Sequence, residues 1–249
     1  MSHDAAAGLA REAGEALLQV RHDNADLAAS DPKALKDLGD ATSQALLARL
    51  LAEHFPGDAV LSEEAADSSA RLSAERVWII DPLDGTREFS EAGRDDWAVH
   101  VALWAKGDLL AGAVGRPAKG VVYSTSDPTP LPERPAGPLR LAVSRSRPPE
   151  FVTELADRLG ATLVPMGSAG VKAMSVVDGE ADAYVHAGGQ YEWDSAAPVA
   201  VARAHGLHTS RVDGTPLEYN RPDPWLPDLL VCRPEVAAQV IRIVSVLLT

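Results

Sequence analysis

The sequence has few of the features that would place a protein outside the cell or in a membrane. Its single cysteine, Cys232, cannot form a disulfide within the chain, and the apolar neighbours of that residue indicate a buried small side chain. No apolar run is long enough to cross a bilayer. Residues 1–18 lack the basic and apolar regions of a signal peptide. We therefore expect a cytoplasmic protein that does not associate with membranes.

Positive charge is also scarce in this chain. The 249 residues include 23 Lys and Arg against 36 Asp and Glu, which gives a formal net charge of −13. Because nucleic-acid binding relies on basic side chains at the phosphates, this balance argues against a nucleic-acid partner. The seven histidines show no spacing typical of zinc sites. What remains is an acidic chain with 46% apolar residues, enough for a sizeable core.

The most informative motif is the hexapeptide Asp-Pro-Leu-Asp-Gly-Thr at residues 81–86. It follows an apolar run at 77–80 that is typical of a buried strand, and its Asp-Pro and Asp-Gly pairs favour a turn. Two carboxylates held at a strand end, Asp81 and Asp84, can share Mg²⁺, which prefers carboxylate oxygens and accepts phosphate oxygens from a substrate. Gly85 allows the backbone to approach an anion closely. The simpler alternative is a turn with two solvated aspartates.

Other acidic residues occur where α/β proteins build ligand sites. Asp40 precedes a predicted helix, Glu63 and Glu64 follow a short predicted strand, and Asp194 precedes another predicted helix. Each has an ordinary interpretation, because aspartate is a preferred helix N-cap and glutamates are common in solvated loops. Ligand sites in α/β folds lie at strand ends and helix starts. We therefore predict that these acids converge on the hexapeptide and bind metal ions with it.

The predicted elements change character at a proline-rich connector, residues 126–138. Before the connector, we predict helices at 5–20 and 41–55, separated by a polar segment at 23–39, and strands at 59–62, 77–80, 97–104, 109–114 and 121–124. After it, strands at 139–143, 162–165, 182–186 and 229–232 alternate with helices at 149–159, 169–177, 195–204 and 236–248. Such alternation is typical of α/β layers. We predict an N-terminal α+β half (1–136), a C-terminal α/β half (137–249) and a site between them.

The order of these motifs resembles that of the inositol monophosphatase superfamily, which comprises magnesium-dependent, lithium-sensitive phosphatases. The signature of that superfamily is an acidic pair, then Asp-Pro-Leu/Ile-Asp-Gly-Thr, then a late Trp-Asp before a helix. This chain carries Glu63-Glu64, residues 81–86 and Trp193-Asp194 in the same order. The resemblance implies a layered αβαβα sandwich of the inositol monophosphatase or sugar phosphatase type. It also implies inhibition by lithium, and it is compatible with a homodimer.

Within the superfamily, three segments resemble the CysQ branch, the 3′-phosphoadenosine 5′-phosphate (PAP) phosphatases. These are Arg-Glu-Phe at 87–89, Val-Ser-Arg-Ser at 143–146 and Gly-Ser-Ala-Gly-Val-Lys at 167–172. The chain departs from the branch at Arg147, where a histidine is usual. The segment before Asp40 also lacks the usual Ser-Pro-Val-Thr-x-Ala-Asp, so Asp40 is assigned by its spacing from the acidic pair.

The resemblance implies two or three Mg²⁺ ions. Glu63, Asp81 and the backbone carbonyl of Leu83 would hold the first ion. Asp81, Asp84 and Asp194 would hold the second, with Asp81 bridging the two. A third and weaker ion would lie near Glu63.

The resemblance also assigns catalytic and phosphate-binding roles. Thr86 would orient the attacking water, and either Glu63 or a hydrogen bond linked to Asp40 would take the proton of that water. Asp40 would also lie in the outer shell of the third ion. The amides of Gly85 and Thr86, at a predicted helix start, would cradle the phosphate group.

Candidate substrate contacts lie in the C-terminal half. Ser144, Arg145 and Lys172 would pair with the 5′-phosphate or the ribose, and Ser168 would assist them. The alternative for Arg145 is an ordinary surface charge. Lys172 lies in the first turn of a predicted helix, where a cation is unfavourable, and a bound anion would explain its presence. Three tryptophans are predicted to be core residues rather than platforms for a base: Trp104, Trp193 and Trp225.

These observations favour a magnesium-dependent 3′(2′),5′-bisphosphate nucleotidase that converts PAP to AMP and phosphate and so clears a by-product of sulfate assimilation. The first alternative is an inositol-1-monophosphatase or a broad sugar phosphatase that resembles fructose-1,6-bisphosphatase. The second is a non-catalytic, metal-binding regulatory protein. That second alternative is disfavoured because all the acidic positions of the signature are present.

Overall fold

The computed structural model describes residues 2–146 and 148–247, so Arg147 and the last residue of the predicted C-terminal helix, Leu248, lie outside it. The helices are α1 (Ser2–Asp23), α2 (Leu27–Ser30), α3 (Pro32–His54), α4 (Thr86–Ser90), α5 (Glu150–Leu159), α6 (Ala169–Val177), α7 (Glu192–Ala204) and α8 (Pro234–Leu247). The strands are β1 (Ala59–Ser62), β2 (Arg76–Asp84), β3 (Ala98–Ala105), β4 (Asp108–Arg116), β5 (Val121–Ser124), β6 (Arg140–Ser144), β7 (Thr162–Met166), β8 (Ala183–Tyr191), β9 (His208–Ser210) and β10 (Trp225–Cys232). Two short 3₁₀ helices span Ser69–Ser73 and Pro117–Lys119. None of the helices in the described ranges has the length and apolar character of a membrane span.

The first sheet contains β1 to β5 in chain order, with β1 parallel to β2 and the other neighbours antiparallel. Side chains of β2 alternate between its two faces, as the two-residue period of a strand requires. Trp78 and Ile80 pack with α1 and α3, whereas Val77 and Ile79 pack with α7. Burial on both faces explains why this strand reads as a continuous apolar run.

The second sheet has the strand order β7-β6-β8-β10-β9. β6 is parallel to both β7 and β8, and β10 is antiparallel to β8 and β9. Helices α6 and α7 lie between the two sheets, and α5 and α8 cover the outer face of the second sheet. The predicted αβαβα sandwich is therefore confirmed. The predicted division into two halves at residue 136 stays a prediction. One continuous hydrophobic core joins both sheets through α6 and α7.

Close packing brings α7 against the first sheet. A Cβ atom at Gly112 of β4 would lie 2.6 Å from the Cβ of Ala200 and 3.2 Å from the carbonyl oxygen of Ala197. No side chain larger than hydrogen fits such a contact, so Gly112 allows α7 to approach the sheet. This approach matters for the site, because Asp194 lies in the first turn of α7.

The predicted boundaries of two helices were wrong. α3 begins at Pro32 rather than at residue 41, because Asp31 accepts a hydrogen bond from the Ala34 amide at 3.1 Å and proline suits the first helical position. Asp40 therefore lies inside α3 and is not its N-cap. Gly39 weakens a helix locally, but here it provides the contact with Phe89, whose Cε1 would lie 2.7 Å from a Cβ at that position.

α7 also begins earlier than predicted, at Glu192. Asp194 is its third residue, and the Asp194 carboxylate accepts a hydrogen bond from the Tyr191 amide at 2.7 Å, just before the helix. A carboxylate that reaches back to the amide before the helix is typical of the third helical position. Strand β9 was not predicted, because three residues are too few to show a period. Cys232 is buried in β10, as predicted.

Candidate active site

Three aspartates from both halves of the chain meet at one point. Carboxylate oxygens of Asp81, Asp84 and Asp194 all lie within 4.8 Å of one another. Asp81 and Asp84 are 1% and 8% exposed at the end of β2, and Asp194 comes from the first turn of α7. Buried carboxylates at such distances repel one another unless cations are supplied. An all-oxygen donor set of this kind fits a hard divalent cation such as Mg²⁺.

The turn that carries two of these aspartates has the local structure that its sequence predicts. The Leu83 amide donates to Asp81 Oδ1 at 3.0 Å, and Ser43 of α3 donates to the Pro82 carbonyl at 2.7 Å. Gly85 adopts a left-handed conformation (φ +86°) and caps α4. Because few residues other than glycine adopt this conformation without strain, Gly85 lets the chain pass directly from β2 into α4.

Asp84 has several hydrogen-bond donors around it. The amides of Ala169 and Gly170, in the first turn of α6, donate to its carboxylate at 3.1 and 2.7 Å, and the Ser168 hydroxyl also donates to it. His100 Nε2 lies 3.1 Å from Asp84 Oδ2. Burial opposes ionisation of Asp84, but the nearby charge of His100 and the donors of Ser168, Ala169 and Gly170 outweigh burial, so the pKa of Asp84 falls below its usual value.

His100 is a site residue that the sequence interpretation missed. It is fully buried on β3 and lies directly opposite Asp81 in the β2–β3 ladder. Its Nδ1 lies 3.1 Å from the Trp193 carbonyl oxygen. Burial lowers the pKa of His100, whereas the Asp84 charge raises it, with a net rise above the usual value. A Cβ at Gly170 would lie 2.1 Å from His100 Nε2, so glycine is required there. A histidine within the alternating apolar pattern of β3 is the signal that could have revealed it.

The remaining carboxylates of the site keep their protons to a higher pH than usual when no cation is present. Burial, together with the charges of Glu63 and Asp84, raises the pKa of Asp81 well above its usual value. Burial and the Asp84 charge raise the pKa of Asp194 to about 6. Partial desolvation and the charges of Asp194 and Asp84 raise the pKa of Glu63 to about 7. A bound cation reverses this electrostatic balance and favours the ionised carboxylates.

An open cavity of about 500 Å³ adjoins the aspartates. Glu63, Asp84 and Asp194 line one side of it. Of the four predicted substrate contacts, the cavity is lined by three: Ser144, Ser168 and Lys172. The Ser168 hydroxyl is already engaged, because it donates to Asp84 and accepts the Val171 amide at 3.0 Å.

Lys172 is the main cation of the cavity wall. It is only 8% exposed, and its ammonium lies 5.3 Å from the centroid of the Tyr184 ring. Among the described residues, its ammonium donates one hydrogen bond, to the Ser168 carbonyl at 2.7 Å, although an ammonium carries three donors. Burial lowers the pKa of Lys172, and the charges of Asp84 and Glu88 oppose that decrease only in part. The group is therefore suited to an additional anionic partner.

Three other predicted site residues neither belong to the aspartate cluster nor line the cavity. The Arg145 guanidinium binds Glu88 at 2.8 Å and Glu91 at 3.0 Å near the end of α4, and Arg145 does not line the cavity. Asp40 is half-buried in α3, where desolvation and the charge of Glu64 raise its pKa to about 7. Thr86 is the half-buried first residue of α4.

The prediction that Trp225 is a core residue was wrong. Trp225 is 48% exposed and covers the backbone of Gly189, where a Cβ would lie 2.4 Å from the indole nitrogen. Trp193 is half-buried and stacks on Tyr191, with ring centroids 4.7 Å apart. Consecutive glycines in β8 leave a bare stretch of sheet, and the indole of Trp225 covers one of them, Gly189. Tyr191, Trp193 and the neighbouring Gln190 line the cavity.

A layered αβαβα fold with a carboxylate cluster beside an open cavity defines a class of metal-binding phosphatases, and comparison with known proteins agrees. The profile of the inositol monophosphatase family matches residues 3–245, so the chain belongs to that family. It is 54% identical over 234 residues to a 3′-phosphoadenosine 5′-phosphate phosphatase of Mycobacterium bovis, covering 91% of this chain and 86% of that protein. It is 31% identical to the 3′(2′),5′-bisphosphate nucleotidase CysQ of Escherichia coli K12, covering 88% and 94% of the two chains.

Solved structures show the same fold. The crystal structure of CysQ from Bacteroides thetaiotaomicron superposes with a TM-score of 0.77 at 26% identity, covering 92% of this chain and 96% of that one. The crystal structure of staphylococcal IMPase-II gives a TM-score of 0.80 at 22% identity, covering 100% and 97% of the two chains. The predicted resemblance to the superfamily and to its CysQ branch is thus confirmed.

Proposed function

We propose that the protein is a metal-dependent phosphomonoesterase that hydrolyses the 3′-phosphate of PAP to give AMP and phosphate. The observation that carries this proposal is the convergence of Asp81, Asp84 and Asp194 beside a cavity that also contains the buried amine of Lys172. The identity of 54% to curated PAP phosphatases supports the same substrate. A substrate with two phosphate groups fits a cavity that offers a cation site and a separate cationic side chain.

The proposed metal ligands are the three clustered aspartates, with Glu63 and the backbone carbonyl of Leu83 completing the set. Carboxylate and carbonyl oxygens are the donors that Mg²⁺ prefers, and two or three such ions are proposed. When bound, these ions would neutralise phosphate oxygens and lower the pKa of a water molecule.

Residues of the chain itself would position the water and the phosphate group. Glu63, which lines the cavity, is the proposed acceptor of the proton from the attacking water. Asp40, with a pKa raised to about 7, is the second candidate for that role. Thr86 would orient the water. The amides of Gly85 and Thr86 face the turn at the start of α4, where backbone donors can hold a phosphate oxygen.

Lys172 is the proposed partner of the second phosphate group, with Ser144 and Ser168 beside it on the cavity wall. An anion at Lys172 would favour its charged form, which burial disfavours. Glu88 and Glu91 hold the Arg145 guanidinium through its Nη2, and Arg145 is not part of the cavity lining. For Arg145 we therefore propose a role at the cavity edge. Homodimer formation and inhibition by lithium stay predictions.

The proposal is tested by phosphate release from PAP, inositol-1-phosphate and fructose-1,6-bisphosphate, each with Mg²⁺ and with excess chelator. We expect kcat/KM for PAP to exceed that for inositol-1-phosphate, which has a single phosphate group, by about a hundredfold, the size of one lost charge-assisted phosphate contact. Fructose-1,6-bisphosphate should also be a poorer substrate than PAP. Activity should disappear with chelator. Equal rates on all three substrates would instead favour the broad sugar phosphatase. Calorimetry that shows Mg²⁺ binding without turnover of any substrate would favour the regulatory protein.

A further inference from the structure

A hydrogen-bond network of mostly buried residues joins distant parts of the chain at the start of α7. Arg71 belongs to the 3₁₀ helix Ser69–Ser73, which follows the loop carrying Glu63, and it is 1% exposed. Its Nε and Nη2 donate to the two oxygens of Asp67 at 2.7 and 2.9 Å. Its Nη1 donates to Asn220 Oδ1 at 2.8 Å, across 149 positions of sequence, and Asn220 Nδ2 donates to the Arg71 carbonyl at 3.3 Å.

The same asparagine is bound to the start of α7. The amides of Asn220 and Arg221 donate to the two carboxylate oxygens of Glu192 at 2.7 and 2.8 Å. Glu192 is 1% exposed and is the first residue of α7, two positions before Asp194. Its own amide donates to the Pro224 carbonyl at 2.8 Å. Both oxygens of this buried carboxylate are therefore engaged by backbone donors.

Asn220 is the junction of the network, because it uses its side chain toward Arg71 and its backbone toward Glu192. It adopts a left-handed conformation (φ +59°), which asparagine tolerates better than most residues with a Cβ. Hydrogen bonds that involve a buried charge are short, directional and stronger than neutral ones. The network therefore connects the loop after β1 rigidly with the first turn of α7.

This connection matters because the proposed ligands Glu63 and Asp194 come from those two elements. Glu63 is exposed and lies on a loop, whereas Asp194 belongs to a helix packed on the first sheet. A metal centre tolerates deviations of only about 0.2 Å in its ligand distances. A loop that had to be ordered by the metal itself would reduce the affinity for that metal.

We propose that Arg71, Asn220 and Glu192 form a positioning network that holds the Glu63 loop and the start of α7 at the separation required for metal binding. The proposal rests on the metal centre of the proposed function, but Arg71, Asn220 and Glu192 neither belong to the aspartate cluster nor line the cavity. Its consequence is specific. Weakening the network lowers Mg²⁺ affinity, and kcat at saturating Mg²⁺ changes much less.

The informative variant is Asn220→Gly. Glycine keeps the left-handed backbone and the amide that donates to Glu192, so only the side-chain link to Arg71 is lost. We expect the Kd for Mg²⁺, measured by calorimetry, to rise about tenfold, the lower end of the range for residues that support metal ligands. The kcat at saturating Mg²⁺ should stay within about threefold of wild type, since outer residues act on affinity before chemistry.

The matched control is Arg140→Gln. Arg140 begins β6, whereas Ser144 of the cavity wall ends that strand. The variant breaks the two hydrogen bonds of the Arg140 guanidinium to the buried Asp182, at 2.9 and 3.2 Å. Both variants should lower the melting temperature measured without metal, but only Asn220→Gly should weaken Mg²⁺ binding. An unchanged Mg²⁺ affinity in Asn220→Gly, with a melting temperature as low as that of the control, would overturn the positioning role. Wild-type protein that binds no Mg²⁺ would overturn this inference together with the metal centre. Wild-type protein that binds Mg²⁺ but does not hydrolyse PAP would contradict only the proposed substrate. The Kd values of Asn220→Gly and Arg140→Gln for Mg²⁺ would then still test the positioning role of the network.

Discussion

The two sides of the cavity are charged oppositely, and neither side is neutralised by the protein alone. On the acidic side, burial and mutual repulsion raise the pKa values of Asp81, Asp194 and Glu63. On the opposite side, burial lowers the pKa of the Lys172 amine. Each shift disfavours the charged form, so each side lacks a counter-charge. Metal cations on the acidic side and an anionic substrate group at Lys172 would supply the two missing counter-charges.

Asp84 is the exception, and it connects the two sides. It is the one member of the aspartate cluster whose pKa is lowered, because the charge of His100 lies close to it and the first turn of α6 donates to it. α6 also carries Lys172. The contrast teaches that burial alone does not decide the charge of a carboxylate, since the donors that surround it can outweigh desolvation.

The largest effect is expected for Asp84→Asn on the acidic side. Loss of this charge should lower kcat/KM for PAP more than about a thousandfold, because metal ions contribute several kcal/mol to phosphoryl transfer. The measurement is phosphate release at saturating Mg²⁺, with the exposed acid variant Asp95→Asn as the matched control. Activity of Asp84→Asn within tenfold of that control would contradict the claim that the acidic side of the cavity, unlike the Lys172 side, is essential for catalysis.

A smaller effect, limited to one class of substrate, is expected for Lys172→Met on the opposite side. Loss of a charge-assisted hydrogen bond costs about 1.5–3 kcal/mol, so KM for PAP should rise about 10- to 150-fold while kcat changes less. Hydrolysis of 3′-AMP, which lacks the 5′-phosphate, should be nearly unaffected. Lys33→Met, an exposed position in α3, is the control. An equal loss on both substrates would assign Lys172 to general stability and not to the second phosphate.

The smallest effect concerns the pH dependence of the acidic side. A carboxyl group whose folded pKa is raised binds more protons in the folded than in the unfolded state, so its contribution to stability is lost as pH rises from about 4 to its raised value. For Glu63 and Asp194 the upper limits are about 7 and about 6. With chelator present, the melting temperature should therefore be a few degrees lower at pH 8 than at pH 5.5, since about 1 kcal/mol corresponds to about 2–4 °C at this size.

Two further measurements sharpen this prediction. Mg²⁺ should restore the melting temperature at pH 8 but much less at pH 5.5, because its ligands must lose protons before they bind. Asp194→Asn should reduce the pH difference measured with chelator. A difference as large in Asp194→Asn as in wild type would show that this carboxyl does not contribute to it.

Features that depend on neighbouring residues could be predicted from the sequence. The apolar run, the Asp-Pro and Asp-Gly pairs and Gly85 specify a strand, a turn and a helix start, and the structure has all three. The start of α3 was missed although Asp31 and Pro32 are local signals of a helix start, because Gly39 favours a break and its contact with Phe89 forms only in the folded protein. Asp40 was consequently assigned to a helix start, although it lies within the helix.

Features that depend on distant segments were decided by the tertiary structure. His100 belongs to the site because the register of β2 and β3 pairs it with Asp81. Arg145 does not line the cavity, and its guanidinium is held by Glu88 and Glu91. The sequence by itself determined the elements, their layers and the supply of acidic ligands. Only the packing of those elements decided which charges meet, because a local pattern specifies the direction of a side chain within its element but not its partner across the fold.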